Sequence, residues 1–306
     1  MSDGEMLEWR NETDPRWRIL HGSAERCLNL VEDESIDCAV TSPPYFWLRD
    51  YGVQGQIGLE DSVAGYVQSI AGVMDLVRLK LKREGVLFLN LGDTYYSGKG
   101  EPCGPDRKSS KRRFGLRAVD KSGGLGIGVK PKSTIGVPWR VAIEMCRREW
   151  VLRSPIIWHR ENCLLEPSAK DRPSRTYETV FMFVKSRKYF FNRTHLPNDD
   201  WAQDVWRIPP VRGPRSSIDT APFPDELVER CLAIGCKQGG TVLDPFCGSG
   251  TSVRVAIQSG RPAIGIDLNR EYCEYSVKHL LDEKWLRTPR TAKSLEEQPC
   301  TCVPSR

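Results

Sequence analysis

Thr241-Val242-Leu243-Asp244-Pro245-Phe246-Cys247-Gly248-Ser249-Gly250-Thr251 is a short apolar strand that closes on an acid and runs through a glycine turn into a helical stretch, Ser252 to Gln258. After Gly260 another short apolar strand, Pro262 to Asp267, ends on a second acid. Glycines let a backbone pass close to a ligand, and a helix N-terminus presents unpaired amides. An acid at the next strand tip can accept from both hydroxyls of a ribose. A lone glycine pair would be ordinary strand-turn-helix punctuation. The full order of strand, turn, helix, strand and acid points to a nucleoside site on a parallel α/β sheet.

Far upstream, Ile36 to Val40 forms a second short apolar strand that runs into Thr41-Ser42-Pro43-Pro44-Tyr45. Each proline fixes its own φ and holds the preceding residue extended, so the turn is rigid and the Pro43 carbonyl stays outside any helical ladder. The Ser42 hydroxyl and the Pro43 carbonyl are then two acceptors beside an aromatic ring. An exocyclic amino group on a planar base needs that set. The plain alternative, a proline-rich turn with a buried tyrosine, is equally open on Val40 to Tyr45 alone.

Short strands alternate with helices along the chain, which predicts a mostly parallel sheet covered on both faces. Strands are expected at Trp17 to Leu20, Ile36 to Thr41, Gly85 to Leu91, Ile156 to Trp158, Val180 to Val184, Thr241 to Asp244 and Ala263 to Asp267. Helices are expected at Ser62 to Leu81, Pro138 to Glu149, Pro224 to Ile234, Ser252 to Gln258 and Arg270 to Leu286. Ligands in open α/β sheets sit at the carboxyl ends of strands where the order reverses, so Thr41 and Asp244 should lie side by side. The polar ends, 1–14 and 288–306, lack periodicity and are expected to be loose. One catalytic domain, 15–287, then carries two insertions, 97–135 and 150–216.

A chain of 306 residues can bury roughly three quarters of its unfolded surface in one domain. The net charge of +5 is modest, but its distribution is uneven. Lys99 to Lys132 holds ten Lys or Arg against Glu101, Asp106 and Asp120, among glycines and serines. A charge run is usually a solvated face; its place after a candidate active-site strand favours phosphate contact through Lys108, Lys111, Arg112 and Arg113. The middle region interleaves aromatics with cations, as suits a strand distorted around an extruded base. There Phe181, Phe183 and Trp158 read as packing, His159 as structural, and Arg172, Arg175 and Arg212 as DNA ligands. Eleven cysteines show no CxxC pair, so no metal site is expected. No signal peptide and no apolar run of membrane-spanning length is expected, which points to a reducing cytoplasm and no membrane partner.

Together, Thr41 to Tyr45 and Asp244 to Thr251 resemble the catalytic and S-adenosylmethionine-binding motifs of the amino-group DNA methyltransferases. The motif order is similar to that of the permuted beta class, in which the catalytic motif comes first. Arg18 to Gly22 resembles the family's strand beside the cofactor adenine, Val86 to Tyr95 the strand after the catalytic one, and Thr220 to Pro224 the segment over the methionine end. The resemblance implies a permuted Rossmann-like class I methyltransferase fold with S-adenosylmethionine as cofactor and double-stranded DNA as partner. A cognate restriction endonuclease is a further implied partner, in a bacterial, archaeal or phage setting near the nucleoid. It implies catalytic roles for Ser42, Pro43, Pro44 and Tyr45. It implies cofactor contacts for His21, Ser23, Thr41, Thr220, Phe223, Asp244, Phe246, Cys247, Gly248, Gly250, Thr251, Asp267 and Leu268. Family members often carry an acid where Ser23 stands, and a hydroxyl can still accept from an adenine amine.

An exocyclic amine is a poor nucleophile because its lone pair is delocalised. Ser42 and the Pro43 carbonyl are expected to accept its two hydrogens and turn that lone pair toward the methyl donor. No covalent attack on the ring is needed, so Cys247 is read as packing beside the cofactor. Family members with Ser at position 42 usually methylate cytosine N4, and those with Asp or Asn methylate adenine N6. Cytosine N4 is therefore expected, with adenine N6 as the alternative. An RNA methyltransferase and a silent DNA-binding relative are further readings; both intact turns speak against the silent one.

Overall fold

The computed structural model describes residues 6–11, 14–96, 128–163, 166, 169–193, 199–211 and 224–282. Nine strands form one sheet: β1 (Leu7–Arg10), β2 (Trp17–His21), β3 (Ile36–Thr41), β4 (Leu81–Leu91), β5 (Val151–Arg160), β6 (Tyr177–Val184), β7 (Val205–Ile208), β8 (Val242–Asp244) and β9 (Ala263–Asp267). Helices α1 (Ala24–Leu28), α2 (Val63–Lys80), α3 (Val137–Arg147), α4 (Asp225–Gly235), α5 (Thr251–Gln258) and α6 (Arg270–Leu281) connect them. The spatial order is β1-β2-β9-β8-β3-β4-β6-β5-β7. All neighbours from β2 to β4 are parallel, whereas β6 runs antiparallel to both β4 and β5, and β1 runs antiparallel to β2.

Alternation along the strands divides the core in two. Leu20, Ala39, Leu87, Leu89, Phe181 and Ile266 point to the face covered by α1, α2 and α3. Ile19, Cys38, Val40, Phe88, Val180 and Met182 point to the face covered by α4, α5 and α6. Period-two side-chain reversal in strands that are apolar at every position makes such a three-layer sandwich necessary. Every residue of β3 is buried, and removing each large apolar side chain from water contributes about 1.5–3 kcal/mol. β3 and β8 lie side by side although more than half the chain separates them, and their connections leave in opposite directions. That reversal opens a crevice at their carboxyl ends.

The outer strands depart from the sequence expectation. Residues 7–10, expected to be loose, pair in register with β2, from Leu7 opposite His21 to Arg10 opposite Arg18. The pairing is held on one flank by the Arg18–Glu8 ion pair at 2.9 Å. β4 begins at Leu81 rather than Gly85; a register shift between Ile36 and Cys38 absorbs the polar Lys82–Glu84 stretch as a bulge. β5 runs from Val151 to Arg160, with Pro155 inside it, because β7 pairs only with its second half, 157–160, and leaves the proline on an edge. α6 ends at Leu281, and positions 283–286 of the expected helix lie outside the described residues. Among the described residues no helix is long and apolar enough to cross a membrane.

Candidate active site

β3 ends on Thr41, 1 % exposed, whose hydroxyl donates to Asp244 Oδ1 at 2.6 Å. Asp244, equally buried at the tip of β8, also accepts from the Ser252 hydroxyl at the start of α5 and from the Phe246 amide at 3.0 Å. One carboxylate thus ties both turns and a helix together. Burial pushes its pKa up from 3.8 to about 6, against the hydrogen bonds of Ser252 and Thr41, which favour the charged form. The folded protein therefore holds a proton at Asp244 that the unfolded chain releases between those values. Asp244 favours folding below pH about 4, and that contribution of about 3 kcal/mol is lost as pH rises through about 6. Asp244→Asn, which cannot titrate, is expected to flatten the decline of the melting temperature between pH 4 and 6. An unchanged slope in the variant would assign the decline to other groups.

Beyond Thr41 the chain follows the extended path set by Pro43 and Pro44. The Pro44 carbonyl accepts from Tyr66 Oη at 2.9 Å, while among the described residues no donor reaches the Pro43 carbonyl. The Tyr45 ring lies on Gly92, where an added Cβ would fall 2.5 Å from Cε2 and 2.9 Å from Cδ2. Only glycine lets the ring sit there. Gly92→Ala is expected to displace the ring and slow catalysis by up to about 10²-fold with cofactor affinity preserved, read by single-turnover kinetics beside cofactor titration.

On the other side, Gly248 donates to Asp267 Oδ2 at 2.9 Å and Asn269 donates to Oδ1 at 2.7 Å. Gly248 has φ 52°, and a Cβ added there would meet nothing within 4 Å. The Gly248 main chain therefore forms an open cradle beside the acid. Asp267 is also pushed up to about 6, chiefly by burial. Its carboxylate borders the cavity, so this shift is screened more than that of Asp244.

A cavity of about 410 Å³ runs between these halves. Ser42, Pro43, Pro44 and Tyr45 line one side; Ser23, Phe246, Cys247, Gly248, Thr251, Asp267 and Leu268 line the other. Four expected contact residues lie behind the wall. Thr41 and Asp244 bond each other, Gly250 opens α5 in the left-handed region at φ 81°, and His21 pairs in register with Asp267. Ser23 is also the N-cap of α1. Thr220, Phe223, Lys108, Lys111, Arg112, Arg113 and Arg212 lie outside the described residues.

Arg172 and Arg175, expected to meet DNA, are engaged by the protein itself. Arg172 pairs with Glu166 at 2.6 Å and lies 3.8 Å over the Tyr95 ring. Arg175 donates to the Asp93 carbonyl. A nearby acid, ring and carbonyl hold both in place in the DNA-free protein.

Several wall residues were given no role in the site by the sequence. Asn90, 4 % exposed on β4, and Glu178 on β6 bond Tyr45 Oη at 2.9 and 2.6 Å. Asn90 Oδ1 is buried without a partner among the described residues. Trp158 and Arg160 of β5 complete this end, Trp158 being fixed by its Nε1 on the Ile208 carbonyl at 2.9 Å. A lone acid in the apolar run Tyr177–Val184 was the one local signal. Above the cavity, Gln56 braces the loop, accepting from the Tyr51 amide at 2.8 Å and donating to the Arg49 carbonyl at 3.3 Å.

A family model described as DNA methylase, covering N6 and N4 enzymes, matches residues 36–278. The type II methyltransferase M.SmaI of Serratia marcescens is 38 % identical over 272 residues, 86 % of this chain and 90 % of that protein. The cytosine-N4-specific PvuII DNA methyltransferase superposes with a TM-score of 0.65 at 21 % identity, over 88 % of this chain and 89 % of its own. A DNA modification methylase of Thermus thermophilus, complexed with S-adenosyl-L-methionine and described as such only by inference, gives a TM-score of 0.58 at 23 % identity, over 87 % of this chain and 95 % of its own. The two structural likenesses establish the fold.

Proposed function

This chain belongs to the DNA methylase family, as a beta-class amino-group methyltransferase dependent on S-adenosylmethionine, and on that premise we propose that it methylates the exocyclic N4 of a cytosine turned out of duplex DNA. The observation that carries the proposal is the shared cavity. An amine-accepting turn and a nucleoside-accepting turn line the same space and are bonded through Thr41 and Asp244.

The cavity residues fit the cofactor. The open cradle at Gly248 leaves room for a ligand beside its main chain, the Asp267 carboxylate would accept from ribose hydroxyls, and Ser23 stands where an adenine amine would need an acceptor. When bound, S-adenosylmethionine supplies an electrophilic methyl group on a sulfonium. The protein does the rest by placement. Ser42 Oγ and the Pro43 carbonyl accept the two hydrogens of the target amine, which turns the nitrogen lone pair out of the base plane. Trp158 and Tyr45 present aromatic rings to the cavity. Turning a base out costs a few kcal/mol, offset by stacking and phosphate contacts. Those phosphate contacts are assigned to the basic segment around Lys108–Arg113 and to Arg212. The catalytic domain is assigned to 15–287, acting alone or beside a cognate restriction endonuclease.

Ser at position 42 supports cytosine N4. One observation keeps adenine N6 open: the Ser42 proton is directed to Tyr45 Oη at 3.3 Å, so Ser42 acts as an acceptor and does not donate to a ring nitrogen. An adenine amine would meet the same acceptors. Incubation with methyl-labelled cofactor and duplex DNA, followed by mass spectrometry of the nucleosides, is expected to give N4-methylcytosine. N6-methyladenine would favour the second reading, and label on RNA alone would overturn both.

A further inference from the structure

Ser42 is one end of a hydrogen-bond chain that crosses three elements. Ser42 Oγ donates to Tyr45 Oη at 3.3 Å, and Tyr45 Oη donates to Glu178 Oε2 at 2.6 Å. Asn90 Nδ2 braces all three, 2.9 Å from Tyr45 Oη, 3.0 Å from Glu178 Oε2 and 3.4 Å from Ser42 Oγ. Arg160 closes the far side, its Nη1 3.3 Å from Glu178 Oε1 and its Nη2 2.9 Å from the Arg175 carbonyl. All five residues line the cavity. The direction of the chain follows from donor inventory: ionised Glu178 only accepts, so Tyr45 donates to it and accepts from Ser42. Ser42 donates onward and accepts from Asn90, which leaves one lone pair for an incoming N–H.

We propose that Glu178 is the positioning residue that orients this chain and the final acceptor of the proton lost by the methylated amine. The proposal rests on the reading of the cavity as an amino-methyltransferase site. Once the new N–C bond has formed, the target nitrogen carries one proton too many. That proton passes to Ser42 Oγ as the Ser42 proton moves to Tyr45 Oη and the Tyr45 proton moves to Glu178 Oε2. Three bonds to hydrogen break and three form. Ser42 and Tyr45 end neutral, the amine ends neutral, and Glu178 ends as a carboxylic acid that returns its proton to solvent between turnovers. Arg160 stands beside the carboxylate, its guanidinium 3.3 Å from Oε1. Burial and the Glu178 charge hold the Tyr45 phenol well above its ordinary pKa, so Tyr45 passes a proton on without resting as a phenolate.

The test is single-turnover methyl transfer on duplex DNA under saturating cofactor. Glu178→Gln keeps an acceptor for Tyr45 but cannot take the proton, and its rate is expected to fall about 10²-fold or more. Its affinities for S-adenosylhomocysteine and for DNA should stay within about twofold, since general acid–base help is absent from both binding steps. Glu178→Ala is expected to be equally slow and to recover activity, saturably, with added formate. Tyr45→Phe, which cuts the chain before Glu178, should be slow and unresponsive to formate. A Glu178→Gln rate within about threefold of the parent would overturn the relay, as would Glu178→Ala that loses ligand affinity and ignores formate, the signature of a merely structural acid. If the parent itself transfers no methyl group to DNA, it is the reading of the site that fails; an active parent with a fast Glu178→Gln variant removes the relay alone.

Discussion

Ser42→Ala is expected to lower the single-turnover rate of methyl transfer by about 10³-fold while leaving cofactor affinity within about twofold of the parent. Among the described residues its hydroxyl bonds only Tyr45 and Asn90, and it lies on the side of the cavity opposite Asp267 and Gly248. Removing it costs the target amine an acceptor and detaches the amine from Tyr45, without touching the nucleoside half. The fold should survive, because Tyr45 Oη keeps its bonds to Glu178 and Asn90 and the net loss is about 1 kcal/mol. Rapid-quench kinetics beside calorimetry with S-adenosylhomocysteine separates the two effects. A parallel loss of rate and cofactor affinity would move Ser42 to the cofactor side.

Asp267→Ala carries the second large effect, with the opposite split. The carboxylate receives the Gly248 and Asn269 amides and so both shapes the turn and presents its remaining lone pairs to the cavity. Charged hydrogen bonds contribute about 1.5–3 kcal/mol each, so losing a ribose contact here should weaken cofactor binding about 10- to 100-fold. The transfer rate at saturating cofactor should change far less. Calorimetry reads the first quantity, and a melting curve at the same pH checks that the turn still folds. Unchanged affinity would show that Asp267 serves only the turn.

Much of this site was legible in sequence because its parts are local. Ile36–Thr41 and Ala263–Asp267 were placed to the residue, since turn chemistry bounds both apolar runs. The meeting of Thr41 with Asp244 followed from the order of the strands, and the 2.6 Å bond between them makes that expectation concrete. What stayed hidden depends on register across distant strands. Asn90 and Glu178 come together only because β4 and β6 run antiparallel with Asn90 opposite Val180, which sets Glu178 beside the end of β4. No spacing rule reports that pairing. β1 and β7 are four residues each, too short for alternation to rise above the polar sequence around them. For Arg172 and Arg175, composition gave the charge but not the intramolecular partners, Glu166 and the Tyr95 ring, that hold them in the DNA-free protein.

The central claim is that one cleft at the carboxyl edge of the sheet holds the methyl donor and the extruded base together. Its most direct test is a crystal structure of the protein with S-adenosylhomocysteine and a duplex carrying its methylation site. The expected result has the ribose hydroxyls on Asp267, the target amine within hydrogen-bond reach of Ser42 Oγ and the Pro43 carbonyl, and the cofactor sulfur in line behind that amine. A cofactor seated away from Gly248 and Asp267, or a base held where Ser42 cannot reach it, would contradict the claim.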